Sequence, residues 1–191
     1  MKLTTWRETA ELIGIIAIVA SLIFVGLQMR QSQEIAIADQ YQSRADTAVQ
    51  WYSARAQSPQ LFEATVKRIS ETAAAGGYDQ IILNALKDQG AEAVATAYLE
   101  YRSNMTMLDN YHFQYEKGFL TEDAWRAYRE RLKAILSVDL NAALYLDQAT
   151  RWRLSFQELC AKLIAENKAE SYVDESPRRP LAPRNGQAIT E

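Results

Sequence analysis

From Leu12 to Met29 the chain carries no charged residue: LIGIIAIVASLIFVGLQM, 18 positions of which only Ser21 and Gln28 are conventionally polar. As a helix rising about 1.5 Å per residue, this run covers roughly 27 Å, close to the roughly 30 Å hydrocarbon core of a bilayer. Soluble core helices rarely go so long without a charge. A cleaved signal peptide fits less well. The run exceeds a usual hydrophobic region, and the start mixes Lys2 and Arg7 with Glu8 and Glu11. The reading is an uncleaved transmembrane helix. Thr5 and Glu8 have capping-box spacing at its start, and Trp6 falls where an amphipathic ring favours the interface.

Ala10, Gly14, Ala17 and Ser21 recur on one face of this segment. Small residues let helices approach closely in lipid, so the stripe is the candidate membrane packing face. Two basic side chains precede the span (Lys2, Arg7) and two follow it (Arg30, Arg44). The N-terminal amine tips this balance towards a cytoplasmic N-terminus and a periplasmic C-terminal domain.

No glycine or proline interrupts the chain between Gly26 and Pro59, so the helix is expected to run on to about Gln57. Ala38, Tyr41, Ala45, Ala48 and Tyr52 form an apolar stripe at helical period there. Ser58-Pro59 reads as an N-cap followed by proline at the first helical position. The next helix, with Leu61, Phe62, Val66 and Ile69 inward, stops at Gly76-Gly77. A short helix capped by Asp79 carries Ile81, Ile82, Ala85 and Leu86, and Gly90 closes it.

The most regular segment spans about 91–117. Val94, Tyr98, Tyr101, Met105, Leu108, His112 and Tyr115 alternate steps of four and three, which is a helix-packing seam. Gly118 ends it. Thr121 caps a further helix with Trp125, Tyr128, Leu132 and Ile135 inward, and a short helix from Asp139 carries Leu144 and Leu146. Ser155 and Glu158 have capping-box spacing before Phe156, Leu159, Cys160, Leu163 and Ile164. No strand alternation occurs. The fold class is therefore all-α, an N-terminal transmembrane helix continuing into an antiparallel helical bundle. Residues 1–30 form the anchor, 31–170 the bundle, and 171–191 a flexible Pro-rich tail.

Charge and composition narrow the function. A net charge of −3 and a pI near 5.4 argue against a dedicated nucleic-acid partner. One cysteine, Cys160, and one histidine, His112, rule out an internal disulfide framework and a multi-histidine metal site. No cofactor is implied. Arg126, Arg129, Arg131 and Lys133 cluster on one helix, but Glu122, Asp123 and Glu130 compensate them, so the face reads as solvated rather than lipid-binding. No nucleophile elbow, Walker A, dinucleotide or zincin motif is present. Asn104-Met105-Thr106 matches a glycosylation acceptor but lies mid-helix.

Two alternatives to a non-catalytic role follow from side-chain chemistry. Tyr98, Tyr101, Met105, His112 and Tyr115 could line a small-ligand cavity, making the protein a membrane-anchored sensor. His112, with Asp109 three residues before it and Glu116 four after, could form a general base oriented by a carboxylate. The commoner explanation of a histidine on a seam is a hydrogen-bonded core residue.

The stretches ELIGIIAIVASLIFVGLQMRQSQEIAIADQYQSRAD, DNYHFQYEKGFLTEDAW and WRLSFQEL resemble a loosely defined group of bacterial single-pass membrane proteins with no assigned activity. The likeness covers residues 6–165 and implies a membrane-anchored helical domain and nothing finer; with the residues, the expected location is the bacterial inner (plasma) membrane. Taken with the residues, the expectation is a non-catalytic accessory or scaffold subunit. Its partners would be the lipid bilayer and either other membrane-protein subunits or further copies of itself.

Overall fold

A computed structural model of the chain describes residues 2–174, with side chains described over 6–170. Among the described residues every element is helical: α1 (Lys2–Gln57), α2 (Pro59–Ala74), α3 (Gln80–Gln89), α4 (Ala91–Glu116), α5 (Glu122–Leu136), α6 (Asp139–Asp147), a 3-10 turn (Ala149–Arg151) and α7 (Leu154–Asp174).

Helix α1 is a single unbroken rod of 56 residues, about 84 Å at 1.5 Å per residue. Its two halves live in different surroundings. No residue from Trp6 to Ile37 is buried, and the apolar side chains there stand open, Leu22 at 68% and Phe24 at 60%. This is the one helix long and apolar enough to cross a membrane among the described residues. From Ala38 onward the same helix joins the body, burying Ala38, Ala45 and Tyr52, with Tyr41 and Ala48 half-buried.

The body is built around α4, which packs against α1, α2, α3 and α5. Val94, Met105 and Leu108 are fully buried at its centre, with Leu132 of α5 and Phe156, Cys160 and Leu163 of α7. Each such aliphatic or aromatic side chain contributes about 1.5–3 kcal/mol on leaving water. Side-chain hydrogen bonds set the register of α1 on α4: Asn110 Nδ2 donates to Gln42 Oε1 (2.5 Å) and Arg102 Nε to the Tyr52 hydroxyl (2.9 Å). Higher positions on α1 thus meet lower ones on α4, and the two helices run antiparallel.

The glycine stops act as the spacing implies. At the end of α2 the Gly76 N–H bonds to the Ala73 carbonyl and the Gly77 N–H to the Thr72 carbonyl, the paired bonds of a Schellman cap. Gly118 (φ +76°) repeats this after α4, its N–H returning to Tyr115 and that of Phe119 to Gln114. Asp79 Oδ1 accepts from the Ile81 and Ile82 N–H groups at the start of α3.

Other local expectations are corrected. Helix α1 already runs from Lys2, so Thr5 is inside it rather than at its cap, and the Thr5 side chain lies outside the described residues. Ser155 also sits inside its helix: α7 starts at Leu154, and the Gln157 N–H bonds back to the Arg153 carbonyl. The Ser155 hydroxyl instead accepts from Arg153 Nη1 (3.2 Å). Leu61, Ile81 and Leu146 point outward, while Thr65 and Leu136 take buried places. In α2, Thr65 can be inside because its hydroxyl donates to the Leu61 carbonyl and accepts from Arg55 Nη1. The expected tail begins at 171, yet α7 extends to Asp174, and the remainder lies outside the described residues.

Candidate functional site

A buried set of polar side chains surrounds the last three turns of α4, at the end of the body nearest the exposed half of α1. Asp109 is 7% exposed and His112 8% exposed, on the face of α4 that meets Tyr41 of α1 and the start of α7. A buried carboxylate is costly unless charge and hydrogen bonds compensate it. Arg153, just before α7, supplies both. Its Nε donates to Asp109 Oδ1 (2.9 Å), its Nη2 to the Asp109 carbonyl (2.9 Å), and its Nη1 to Glu116 Oε2 (2.5 Å). The Tyr41 hydroxyl donates to Asp109 Oδ2 (2.6 Å). The guanidinium also lies over the Phe113 and Tyr41 rings, at 5.2 and 5.5 Å.

His112 borders this network. Its Nδ1 is 3.9 Å from Glu116 Oε2 and 3.4 Å from Arg153 Nη2. A guanidinium has only donors, so its approach to Nδ1 favours the neutral ring with its proton on Nε2. The ring is enclosed by Trp125 (centroids 5.2 Å apart) and Phe156 (5.9 Å). Burial lowers its pKa from the ordinary value; Glu116 opposes this, Arg153 reinforces it and Asp109 opposes it. Burial raises the Asp109 carboxyl, against the hydrogen bonds from Tyr41 and Arg153. At Glu116 burial also raises the pKa, but the Arg153 and Ser155 hydrogen bonds outweigh it and the net shift is downward.

The arrangement ties three helices together. Asp109 and Glu116 have their charge met by a cation that no other side chain could replace in the same fork geometry. His112 is 8% exposed and lies against the Trp125 and Phe156 rings. Among the described residues no group of three or more His, Cys, Asp or Glu side chains could hold a metal ion.

The proposed cavity residues separate. Tyr98, Tyr101 and Met105 pack in the core with His112, whereas Tyr115 is half-exposed, stacks on Trp125 (5.4 Å, 15°) and donates its hydroxyl to Glu122. No hydrogen bond of ordinary geometry reaches the Tyr101 hydroxyl, although the Trp152 indole lies beside it. Clefts open on other faces, one along α1 at Ser43, Thr47 and Trp51, another between α6 and α7 at Leu146, Ala161 and Ile164. Cys160 is fully buried, and burial pushes its thiol up to about 12.

The stripe Ala10, Gly14, Ala17 and Ser21 lies on the exposed half of α1, and a Cβ added at Gly14 meets nothing within 4 Å. Three of the four cations on the basic face of α5 are paired with carboxylates, and the fourth, Arg131, meets a neutral amide. Arg129 makes a two-oxygen contact with Glu166 (3.0 Å to each), Lys133 reaches Glu170 (2.5 Å), Arg126 pairs with Asp123, and Arg131 donates to Asn104 Oδ1 (2.7 Å).

Arg153 and Tyr41 are the residues that sequence reasoning missed. Arg153 lies 44 positions from Asp109, and no periodicity links the two. The one available signal is a lone cation between Trp152 and the apolar start of α7. Comparison with family models, with curated protein sequences and with solved structures finds no match to this chain.

Proposed function

We propose that this chain is a non-catalytic, single-pass protein of a bacterial inner membrane. Its α1 anchors an antiparallel helical bundle that serves as an accessory or scaffold subunit, held to other membrane subunits or to further copies of itself. One observation carries the reading: α1 is a continuous helix whose apolar first half is wholly unburied while its second half is built into the body's core. A core helix of a soluble protein would be covered by its own chain. Exposing some 18 apolar residues to water would cost tens of kcal/mol at about 0.8 kcal/mol per methylene, so this half needs lipid or another apolar surface around it.

The polar network supports a scaffold over an enzyme. Asp109, Glu116 and Arg153 spend their hydrogen-bonding capacity on one another, and His112 is enclosed by rings. A periplasmic bundle is the orientation taken in this proposal, the basic side chains flanking the span being equal in number on its two sides.

Carbonate washing of membranes holding the full-length protein tests the anchor. The protein stays in the pellet if α1 is embedded, and release to the supernatant refutes the reading. Assembly is tested by Gly14→Leu with Ala17→Leu in mild detergent. The double variant loses the higher-mass species on native gels, and unchanged migration removes the small-residue face from the proposal.

A further inference from the structure

We propose that the α4–α5 turn, Lys117–Leu120, rests on the headgroup layer of the same leaflet from which α1 emerges, so that the body touches the bilayer at a second point; this rests on the membrane reading above. Register carries the argument. Asn110 of α4 meets Gln42 of α1, and the Gln114 side chain reaches the Ala38 carbonyl (3.4 Å). Each step forward along α4 therefore matches a step back along α1. Continued past Gln114, the turn comes level with about Gln33–Ile35, roughly 6–9 Å beyond Met29 at 1.5 Å per residue. A bilayer about 40–45 Å thick with a roughly 30 Å hydrocarbon core has a headgroup layer about 5–7.5 Å deep on each side, which takes in the level of Phe119, about 6 Å beyond Met29.

The turn has the chemistry for that layer. Phe119 is 45% exposed at its tip, Lys117 is exposed beside it, and Leu120 is half-buried behind it. An apolar ring next to a long-stemmed cation suits the boundary between acyl chains and phosphates. Of the acidic groups nearby, Glu116 pairs with Arg153, Glu122 accepts from Tyr115, Asp123 pairs with Arg126 and Glu34 pairs with Arg30 (3.3 Å), while Asp39 on α1 is exposed. The partner surface is lipid rather than protein because α1 already places a leaflet at this height.

Spin labels on single cysteines test this in the full chain, reconstituted into phosphatidylcholine–phosphatidylglycerol vesicles. Cys160 is buried and stays unlabelled. Leu22→Cys reports the span, Phe119→Cys the turn, and Asp88→Cys the far end of the body, near the start of α4. Collision with lipid-soluble oxygen is compared with collision with a water-soluble nickel chelate. The oxygen-to-nickel ratio is expected to be highest at 22, intermediate at 119 and lowest at 88, with 119 several-fold above 88. A ratio at 119 equal to that at 88, with 22 still in lipid, overturns the second contact and leaves the anchor standing. Shielding of 119 from both reagents means a protein surface covers the turn and also overturns it. A ratio at 22 equal to that at 88 overturns the anchor and this inference together.

Discussion

Replacing Arg153 by Met leaves a carboxylate in the interior with no cation. The Asp109 side chain is 10% exposed and that of Arg153 23%, so water screens the pair weakly. Removing one partner of a buried ion pair costs about 3–5 kcal/mol, because the remaining charge stays desolvated. Tyr41 still donates to Asp109 in the variant, and Glu116, with a side chain 30% exposed, can turn to solvent. The lower end of the range applies, about 3 kcal/mol. For a domain of this size, 1 kcal/mol moves the melting temperature by about 2–4 °C, so the body should melt roughly 6–12 °C earlier. The assay is thermal loss of helicity by circular dichroism on full-length protein in detergent micelles. Asp109→Asn combined with Arg153→Met removes both charges and should cost at least about 1 kcal/mol less than the sum of the single changes. A loss below about 1 kcal/mol for Arg153→Met, or strict additivity in the double variant, would show that the network is screened by solvent and does not brace the helices.

Protonation of His112 should weaken the fold. In the unfolded chain it takes up a proton near pH 6.5, and in the fold only at lower pH. Between those values the unfolded chain binds more protons, so stability falls as pH drops. Asp109, raised by burial, acts in the opposite sense over its own range above 3.8, so the informative quantity is the difference between the native protein and His112→Gln. That difference should shrink as pH is lowered from about 7 to 5.5, and parallel stability curves would refute the assignment. Tyr101→Phe should change stability by less than about 1 kcal/mol, because it removes a buried hydroxyl with no well-formed hydrogen bond; chemical denaturation measures it, and a loss above 2 kcal/mol would reveal a partner for the group. Cys160 should resist a thiol reagent in the native protein and react fully in denaturant, since it is buried with its pKa raised; fast labelling of folded protein would contradict its position in the core.

The local elements were readable because their causes are local. A four–three spacing of apolar side chains makes one helical face, and a glycine that can take positive φ ends a helix whatever surrounds it. Hence the seam from Val94 to His112 and the stops at Gly76, Gly90 and Gly118 follow from neighbouring residues alone. The two capping boxes failed for a reason of the same scale. Serine and threonine cap only at a helix end, and both ends lie further upstream than the spacing indicates, at Lys2 and Leu154.

The polar site was only half legible. Asp109, His112 and Glu116 share one face of α4 by helical geometry, so their proximity could be read directly. What that proximity means could not be. Packing decided it, when α1 brought the Tyr41 hydroxyl and the residue before α7 brought a guanidinium to the same carboxylate. A carboxylate beside an imidazole is equally compatible with a general base and with a brace; burial and charge compensation are what favour the brace in the proposed reading. The run from Leu12 to Met29 shows the complementary case: its length and lack of charge are intrinsic, so its need for apolar surroundings is settled by residue identity. That none of the body folds over it is a property of the assembled helices, because the core is already closed by residues from Ala38 onward.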